Sequence, residues 1–432
     1  MSSNAAAERT PKSMLALTFA LALFASLPTP ARGQTRPAGA ETYEFINGQW
    51  FDGRGFRRRV FYSANGLLTR KKPKRVDEVV DLVGGYVVPP FGDAHNHFPE
   101  SEGTLGWANE AFLRAGVFYV LNPNDIAELS NPIRDRLGTP STIDVVFAHG
   151  GFTKTGGHPT ALYQGLVERK ILNYSKAELE GRAFYSVDSP ADVEKKWPQF
   201  LATKPDFVKL YLLHSELYGS RDAKSVSDGL PPDLVAGITR RAKAAGLRSG
   251  AHIESAFDFH AALTGGVDVI MHLPGYHWNP GDTENDYLIV GADARLAARK
   301  QVPVVTTAAL VIRDEKTKMF ESERATQVKN LRRLKDTRVT ILLGSDTQPG
   351  QGTLAEADYL RSTGVFSNLE LLKMWCEATP LAIFPKRKIG YLKEGYEASF
   401  LVLRNNPLAN FEAVKQIRLR FKQGRPVQLA DR

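Results

Sequence analysis

The stretch Val87-Val88-Pro89-Pro90-Phe91-Gly92-Asp93-Ala94-His95-Asn96-His97 ends an apolar run in two histidines one residue apart. On a strand, residues i and i+2 point to the same side. His95 and His97 therefore aim two imidazoles at one point, as a metal ion in a shared pocket requires. A lone His-x-His is a weak signal. Its weight depends on what the rest of the chain supplies.

The pattern differs on the two sides of this stretch. Before it, residues 43–46, 49–51, 60–62 and 79–83 read as short strands, with Asn47-Gly48 and Asn65-Gly66 as hairpin turns. That predicts a β-module over residues 42–90. After it, apolar runs at 117–121, 143–148, 207–212, 247–253, 267–273, 302–307 and 340–343 alternate with helical stretches. With the opening strand they make eight, apolar on both faces as buried parallel strands are. Pro231-Pro232-Asp233 opens a helix that places Leu234, Val235, Ile238, Ala242 and Ala245 on one face and stops at Gly246. Ser367-Asn368-Leu369-Glu370 is a capping box opening another helix that runs through Trp375.

Eight strands with interleaved helices predict an α/β fold, a (β/α)8 TIM-like barrel over residues 91–388. A doubly wound open sheet is the alternative. Residues 389–428 return to short strands and are expected to pair with residues 42–90 as one small β-sandwich domain.

The 432 residues are 43% hydrophobic and 24% charged, a composition that can bury a large core. Arg9 and Lys12 precede an apolar run at 14–27, followed by Thr29-Pro30-Ala31-Arg32-Gly33-Gln34. This order predicts a secretory signal peptide over residues 1–33, and hence a periplasmic or secreted mature protein. The run is shorter than the ~18–20 residues a spanning helix needs, so no membrane anchoring is expected after cleavage. The single cysteine, Cys376, excludes an internal disulfide and a lipidated cysteine at the cleavage site. Removing Arg9, Lys12, Arg32 and Glu8 with that segment takes the formal charge from +9 to +7. The excess is spread out apart from Arg57-Arg58-Arg59 and Lys71-Lys72-Pro73-Lys74-Arg75, and the second cluster reads as a solvated hairpin rather than a nucleic-acid patch. No zinc knuckle, helix-turn-helix or aromatic-basic signature points to nucleic acid.

In a (β/α)8 barrel the active site lies at the C-terminal ends of the strands. There the first strand ends in His95 and His97, the fourth carries Lys209, the fifth ends in His252, the sixth in His272, and the eighth leads into Gly344-Ser345-Asp346. Five strands agreeing is not chance.

In this order the residues resemble the amidohydrolase superfamily of metal-dependent hydrolases, nearest its imidazolonepropionase and prolidase-like branch. The resemblance covers most of the mature chain and implies two divalent metal ions, Zn2+ by expectation. It places His95 and His97 on the more buried metal, a carboxylated Lys209 bridging both, and His252 and His272 on the second. Asp346 touches the first metal and handles the proton of a metal-bridging hydroxide. The chemistry is coherent. Two cations ~3.5–4 Å apart clamp a reacting oxygen, and bound water reaches a pKa near ~7. A lysine ammonium has no lone pair and serves only if modified, and burial favours the neutral amine that reacts with CO2.

The loop His149-Gly150-Gly151-Phe152-Thr153-Lys154-Thr155-Gly156-Gly157-His158-Pro159 lies at the same end, and His149 or His158 is a candidate substrate contact. Tyr211 shares the face of Lys209 and is a candidate to polarise the substrate carbonyl. His214, His260 and His277 read as surface or supporting residues. Pro89-Pro90-Phe91-Gly92-Asp93 and Ala398-Ser399 depart from the family pattern without touching a ligand.

The expected function is hydrolysis of an amide bond in a small molecule, a dipeptide or N-acyl amino acid, by an exported protein for which a homo-oligomer is an open assembly state. Lactone, cyclic imide or phosphoester hydrolysis on the same site is the alternative. A non-catalytic interaction barrel is disfavoured because all six ligands are present.

Overall fold

Three sheets organise the fold in the computed structural model, which describes residues 41–218, 229–279, 281–314 and 320–429. The expected signal peptide lies outside the described residues. The strands run β1 (Tyr43–Phe51), β2 (Phe56–Ala64), β3 (Leu67–Thr69), β4 (Glu78–Asp81) and β5 (Tyr86–Val88). Then follow β6 (Phe91–Asp93), β7 (Val117–Asn122), β8 (Asp144–Phe147), β9 (Gly151–Thr153), β10 (Phe184–Ser186), β11 (Phe207–Tyr211) and β12 (Arg248–His252). The last are β13 (Val269–Met271), β14 (Val304–Val305), β15 (Ile341–Leu342), β16 (Phe400–Leu403), β17 (Ile417–Lys422) and β18 (Arg425–Pro426).

Both ends of the chain do join in one β-structure, but it is a single sheet and not a sandwich. Its order is β18-β17-β16-β5-β1-β2-β3, with β4 also on β1. The join is β5, which pairs parallel with β1 (Trp50↔Val87) and antiparallel with β16 (Val402↔Val87). Phe45, Trp50, Phe61, Phe400 and Phe421 are all buried, and the Phe45–Phe400 and Phe400–Phe421 ring centroids lie 4.9 and 5.2 Å apart.

Asn47-Gly48 is not a hairpin turn. Tyr43–Phe51 is one strand whose register against β2 shifts between Phe45 and Gly48. Asn47 takes the left-handed conformation (φ 56°) that the dipeptide advertises, but as a bulge that kinks the strand. Gly48 is required there by packing, because a Cβ would meet Leu82 and the Trp50 indole at 2.6 and 2.7 Å. Asn65-Gly66 does turn the chain between β2 and β3.

The parallel strands divide into two sheets, β6-β7-β8 and β10-β9-β11-β12-β13-β14-β15. The parallel strands therefore do not form one continuous hydrogen-bonded sheet, and the break falls after the third expected strand, between β8 and β9. His149 there adopts a left-handed backbone (φ 59°) between β8 and β9. Gly150 passes so close to the Arg182 carbonyl that a Cβ would sit 2.5 Å from it. Single backbone hydrogen bonds still link the sheets: Ala94 N donates to Leu343 O (2.9 Å), and Asp206 N to Phe147 O (2.8 Å). All of β7 and all of β11 are buried, as strands covered on both faces should be.

The helix expected after Pro231 starts as a 3-10 turn, Pro232–Leu234, and continues over Val235–Ala244. The predicted apolar face is buried except for Ala245, which is exposed at the helix end. Ser367 caps its helix as expected, with Glu370 N on its Oγ (3.3 Å) and its own N on Glu370 Oε2 (2.8 Å). After Lys373 that helix widens into a π-turn, Met374–Ala378. Trp375 there stacks on Phe91 of β6 at 3.9 Å.

Two buried acid groups hold the parallel strands to their surroundings. Asp144 of β8 faces Lys422 Nζ (3.1 Å) and Arg387 Nη1 (3.1 Å), and Arg387 Nη2 reaches Glu397 Oε2 (2.6 Å). These four charges join β8 to the mixed sheet. Glu356, on the helix Gln351–Ser362, accepts from the Thr306 hydroxyl and from the backbone N–H of Ala308 (2.9 Å) and Ala309 (2.6 Å).

Burial pushes the Glu356 carboxyl up to about 7. The folded protein thus holds a proton there that the unfolded chain releases near ~4.3. Stability from this group is full below the unfolded value and is lost as pH rises to about 7. Glu356→Gln is expected to flatten that decline, which is on the order of 3 kcal/mol between pH 4.5 and 7.5. Denaturant midpoints of the two proteins across that range provide the check, and parallel curves would refute it.

Candidate metal centre and active site

The end of β6 is fastened to the end of β15 through Asp93. Its fully buried carboxylate accepts from Ser345 Oγ (2.6 Å), Ser345 N (3.0 Å), Thr353 Oγ1 (2.7 Å) and His95 N (3.2 Å). Asp346 N donates to His95 O (2.7 Å), and a Cβ on Gly344 would stand 2.9 Å from the His95 Cβ. These constraints bring His95, His97 and Asp346 together, with ligand atoms all within 4.8 Å of one another. Asp346 Oδ1 is 3.8 Å from His95 Nε2 and 3.3 Å from His97 Nε2. Asp346 itself sits in the left-handed region (φ 50°), and so does His272 (φ 84°). Such strain in non-glycine residues gathers at sites the surrounding structure over-determines.

Hydrogen bonds set the imidazole tautomers. His97 Nδ1 faces the Asn124 carbonyl at 2.9 Å, an acceptor, so that nitrogen carries the proton and Nε2 faces Asp346. Asn124 is held in turn by Tyr163 (2.6 Å) and Gly151 N (2.7 Å). His272 Nδ1 lies 2.7 Å from Thr307 Oγ1, whose own hydroxyl donates to Thr306 O (2.9 Å). His272 is therefore the donor, and its Nε2 carries a lone pair. That Nε2 is buried without a hydrogen-bond partner among the described residues, and so is His95 Nδ1.

Lys209, predicted on the fourth strand, lies mid-β11 and is 1% exposed. Its Nζ is 3.2 Å from the Met271 sulfur, a weak acceptor, and 5.1 Å from the Tyr211 ring centroid. Burial drags its pKa down to about 7, with Asp346 opposing, so a reactive neutral amine is available at neutral pH. The remaining predicted residues adjoin through ring contacts. His95–His272 is 4.5 Å, His272–His252 4.3 Å, His252–His158 5.1 Å and His158–Tyr211 5.3 Å between centroids. Burial holds His95 and His272 well below the usual imidazole range and His252 below it; His158 falls to about 3. At His97 burial works downward, but the hydrogen bond and charge of Asp346 prevail and raise it. For Asp346, burial works upward and is outweighed by His95 and His97, which keep it ionised.

His149 does not face this cluster as a substrate contact. Its Nδ1 is 2.8 Å from Asp125 Oδ1 and its Nε2 is 3.0 Å from Arg134 Nη2, so both nitrogens are engaged in the scaffold. His260 is on a helix surface against Asp293 (2.9 Å), and His277 is exposed. His214 is a supporting residue, 2% exposed, clamped between Glu216 Oε1 and Glu254 Oε2 at 3.2 Å each. Burial lowers its pKa, but the two carboxylates carry it up to about 10.

Sequence reasoning passed over Tyr276 and Glu254. Tyr276 stacks on His272 (4.9 Å, 27°), and its hydroxyl donates to Glu254 Oε1 at 3.1 Å, 3.4 Å from His252 Nε2. Glu254 follows His252 by two residues and so shares its face, which was the readable signal. Nothing in the spacing of Tyr276 marks it.

The fold is shared with several solved structures. The chain is similar to the crystal structure of a prolidase from Bifidobacterium longum (TM-score 0.71, 18% identity, 91% of this chain and 96% of that one). It is also similar to a Xaa-Pro dipeptidase (TM-score 0.69, 16% identity, 90% and 100%). The ochratoxinase of Aspergillus niger is similar in structure (TM-score 0.70, 18% identity, 90% and 95%) and, over 79 residues, in sequence at 37% identity. That sequence match spans 18% of this chain and 16% of the ochratoxinase. No protein-family model matches the chain.

Proposed function

We propose that this protein is an exported metal-dependent hydrolase of amide bonds, acting on a dipeptide or N-acyl amino acid, with its parallel strands arranged as a closed barrel. The observation that carries the reading is the convergence of metal-competent atoms. His95 Nε2, His97 Nε2 and Asp346 Oδ1 face one another, and His272 Nε2 is buried with no hydrogen-bond partner among the described residues. Such a group is favourable only with a proton or a cation among its members. The residues thus fit a pair of divalent ions, zinc by donor type. His95, His97 and Asp346 would hold one, His252 and His272 the other, and Lys209, once carboxylated, would join both. When bound, the ions supply Lewis-acid polarisation of the scissile carbonyl and an acidified water.

The chain's own groups do the rest. The Asp346 carboxylate accepts a proton from water in the cleft and returns it to the leaving nitrogen. Tyr276, kept protonated by burial and by Glu254, offers its hydroxyl to the developing oxyanion. Tyr211 and His158 line the substrate's other side, His158 as a neutral imidazole. One structure of similar fold is, by its name, a Xaa-Pro dipeptidase, which supports the substrate class.

Tyr276→Phe is expected to lower kcat about 100-fold with a smaller change in KM, measured by steady-state kinetics; a change confined to KM would remove the hydroxyl from the chemistry. The reading as a whole is tested by a hydrolysis screen across dipeptides, N-acyl amino acids, lactones and phosphotriesters. Turnover of the first two classes is expected. Turnover only of lactones or phosphotriesters would contradict it.

A further inference from the structure

Charge is divided unevenly over the molecule. Residues 42–90 and 389–428, which form the mixed sheet, hold sixteen Lys and Arg against eight Asp and Glu, a formal +8. Residues 91–388 hold 35 against 36, a formal −1. Within the sheet the excess is concentrated further: residues 53–76 contain nine cations and no carboxylate.

The strand register places one of those cations, Arg58, on the outward face of the sheet. Phe61 pairs with Phe45, both buried, so Tyr62, Val60 and Arg58 lie on the opposite face of β2. Glu44 pairs with both Tyr62 and Val79, which puts Val79 on that same outward face. Val60 is 43% exposed and Val79 55%. Val83, 71% exposed, and Arg58 both adjoin Asn47, through Gly84 N to Asn47 O (2.7 Å) and Arg58 Nη2 to Asn47 Oδ1 (2.8 Å). Leu67 is 38% exposed on the edge strand β3, and Lys71, Lys72, Lys74 and Arg75 are exposed just beyond it. Four of the twelve exposed large apolar side chains among the described residues thus fall in residues 60–83, Val60 and Leu67 within the cationic run and Val79 and Val83 just beyond it, beside Asp77, Glu78 and Asp81.

We propose that this outward face is a docking surface for an anionic phospholipid bilayer. Cations alone suit any polyanion, but cations interspersed with exposed aliphatic side chains suit an interface that offers both acidic headgroups and acyl chains. The association is peripheral, since among the described residues no helix is long and apolar enough to cross a membrane. It revises the sequence reading of the 71–75 cluster as a merely solvated hairpin, and it does not depend on the proposed hydrolytic activity.

Sedimentation of the full chain with vesicles of phosphatidylcholine, with and without phosphatidylglycerol, tests it. Binding is expected only to the acidic vesicles, weakening steeply as salt rises. Arg58→Gln/Lys71→Gln/Lys74→Gln is expected to weaken it about tenfold or more. Val60→Ser/Val79→Ser should weaken it at constant charge. Lys243→Gln/Arg299→Gln/Arg332→Gln, which removes as many exposed cations from residues 91–388, should leave it within about twofold. Equal binding to neutral vesicles, or no binding, overturns the proposal. So does an equal loss from the Lys243/Arg299/Arg332 variant. Valine variants that bind acidic vesicles and duplex DNA as tightly as the parent would show a polyanion surface and overturn the bilayer reading.

Discussion

Asp346→Asn is expected to lower kcat/KM about 1,000-fold or more while the protein remains folded. The substitution keeps the shape of the side chain and removes its charge and its capacity to take a proton. The left-handed backbone at Asp346 tolerates Asn as readily as Asp, and the bond from its N–H to His95 O does not involve the side chain. What changes is the carboxylate that His95 and His97 hold ionised against burial. With it goes the proton carrier, and one donor of the three-residue group. The far-ultraviolet spectrum and melting midpoint should change little. A variant with activity within tenfold of the parent would place proton transfer elsewhere.

The second large effect concerns stability. Asp144→Asn is expected to cost about 3–5 kcal/mol, because it leaves buried cations without their partner. Lys422 is fully buried, and Asp144 is its carboxylate partner at 3.1 Å; its other bond is to Thr139 O at 2.7 Å. Arg387 would retain Glu397 alone, and Glu397 is already shared with Ser399 Oγ (2.6 Å). Urea unfolding of the single variant and of Asp144→Asn/Lys422→Met gives the check. The double variant should cost less than the two single changes combined, since each removes the other's stranded charge. A single-variant loss below about 1 kcal/mol would mean that solvent reaches these groups.

The candidate ligands stand out in the sequence because each ends or sits on an apolar run, and period-2 geometry fixes which way a strand residue points. Of them, His95, His97 and Asp346 bring ligand atoms within 4.8 Å of one another, and His272 and His252 adjoin them through ring contacts. What escaped was carried by backbone conformation. Asn47-Gly48 signalled a left-handed residue correctly, but a left-handed residue serves a bulge as well as a turn, and only the packing of Leu82 and Trp50 on Gly48 decides between them. The third apolar run, 143–148, ends with β8, and the short strand β9 beyond the left-handed His149 falls in a glycine-rich stretch that reads as a loop. His149 and His158 were equivalent in sequence. Asp125 and Arg134, distant in the chain, occupy one of them. Tyr276 was invisible because it works from a loop, where no periodicity tells which side chain returns to the site.

The central claim is that this cluster holds metal and needs it. The most direct measurement is metal content of the purified protein by elemental analysis, followed by activity after chelation and after restoring single divalent metals. The account predicts about two equivalents of a transition metal per chain, loss of activity on chelation and its return on reloading. It also predicts that Lys209→Ala retains fewer than one. A chelated protein free of metal and still fully active would contradict it.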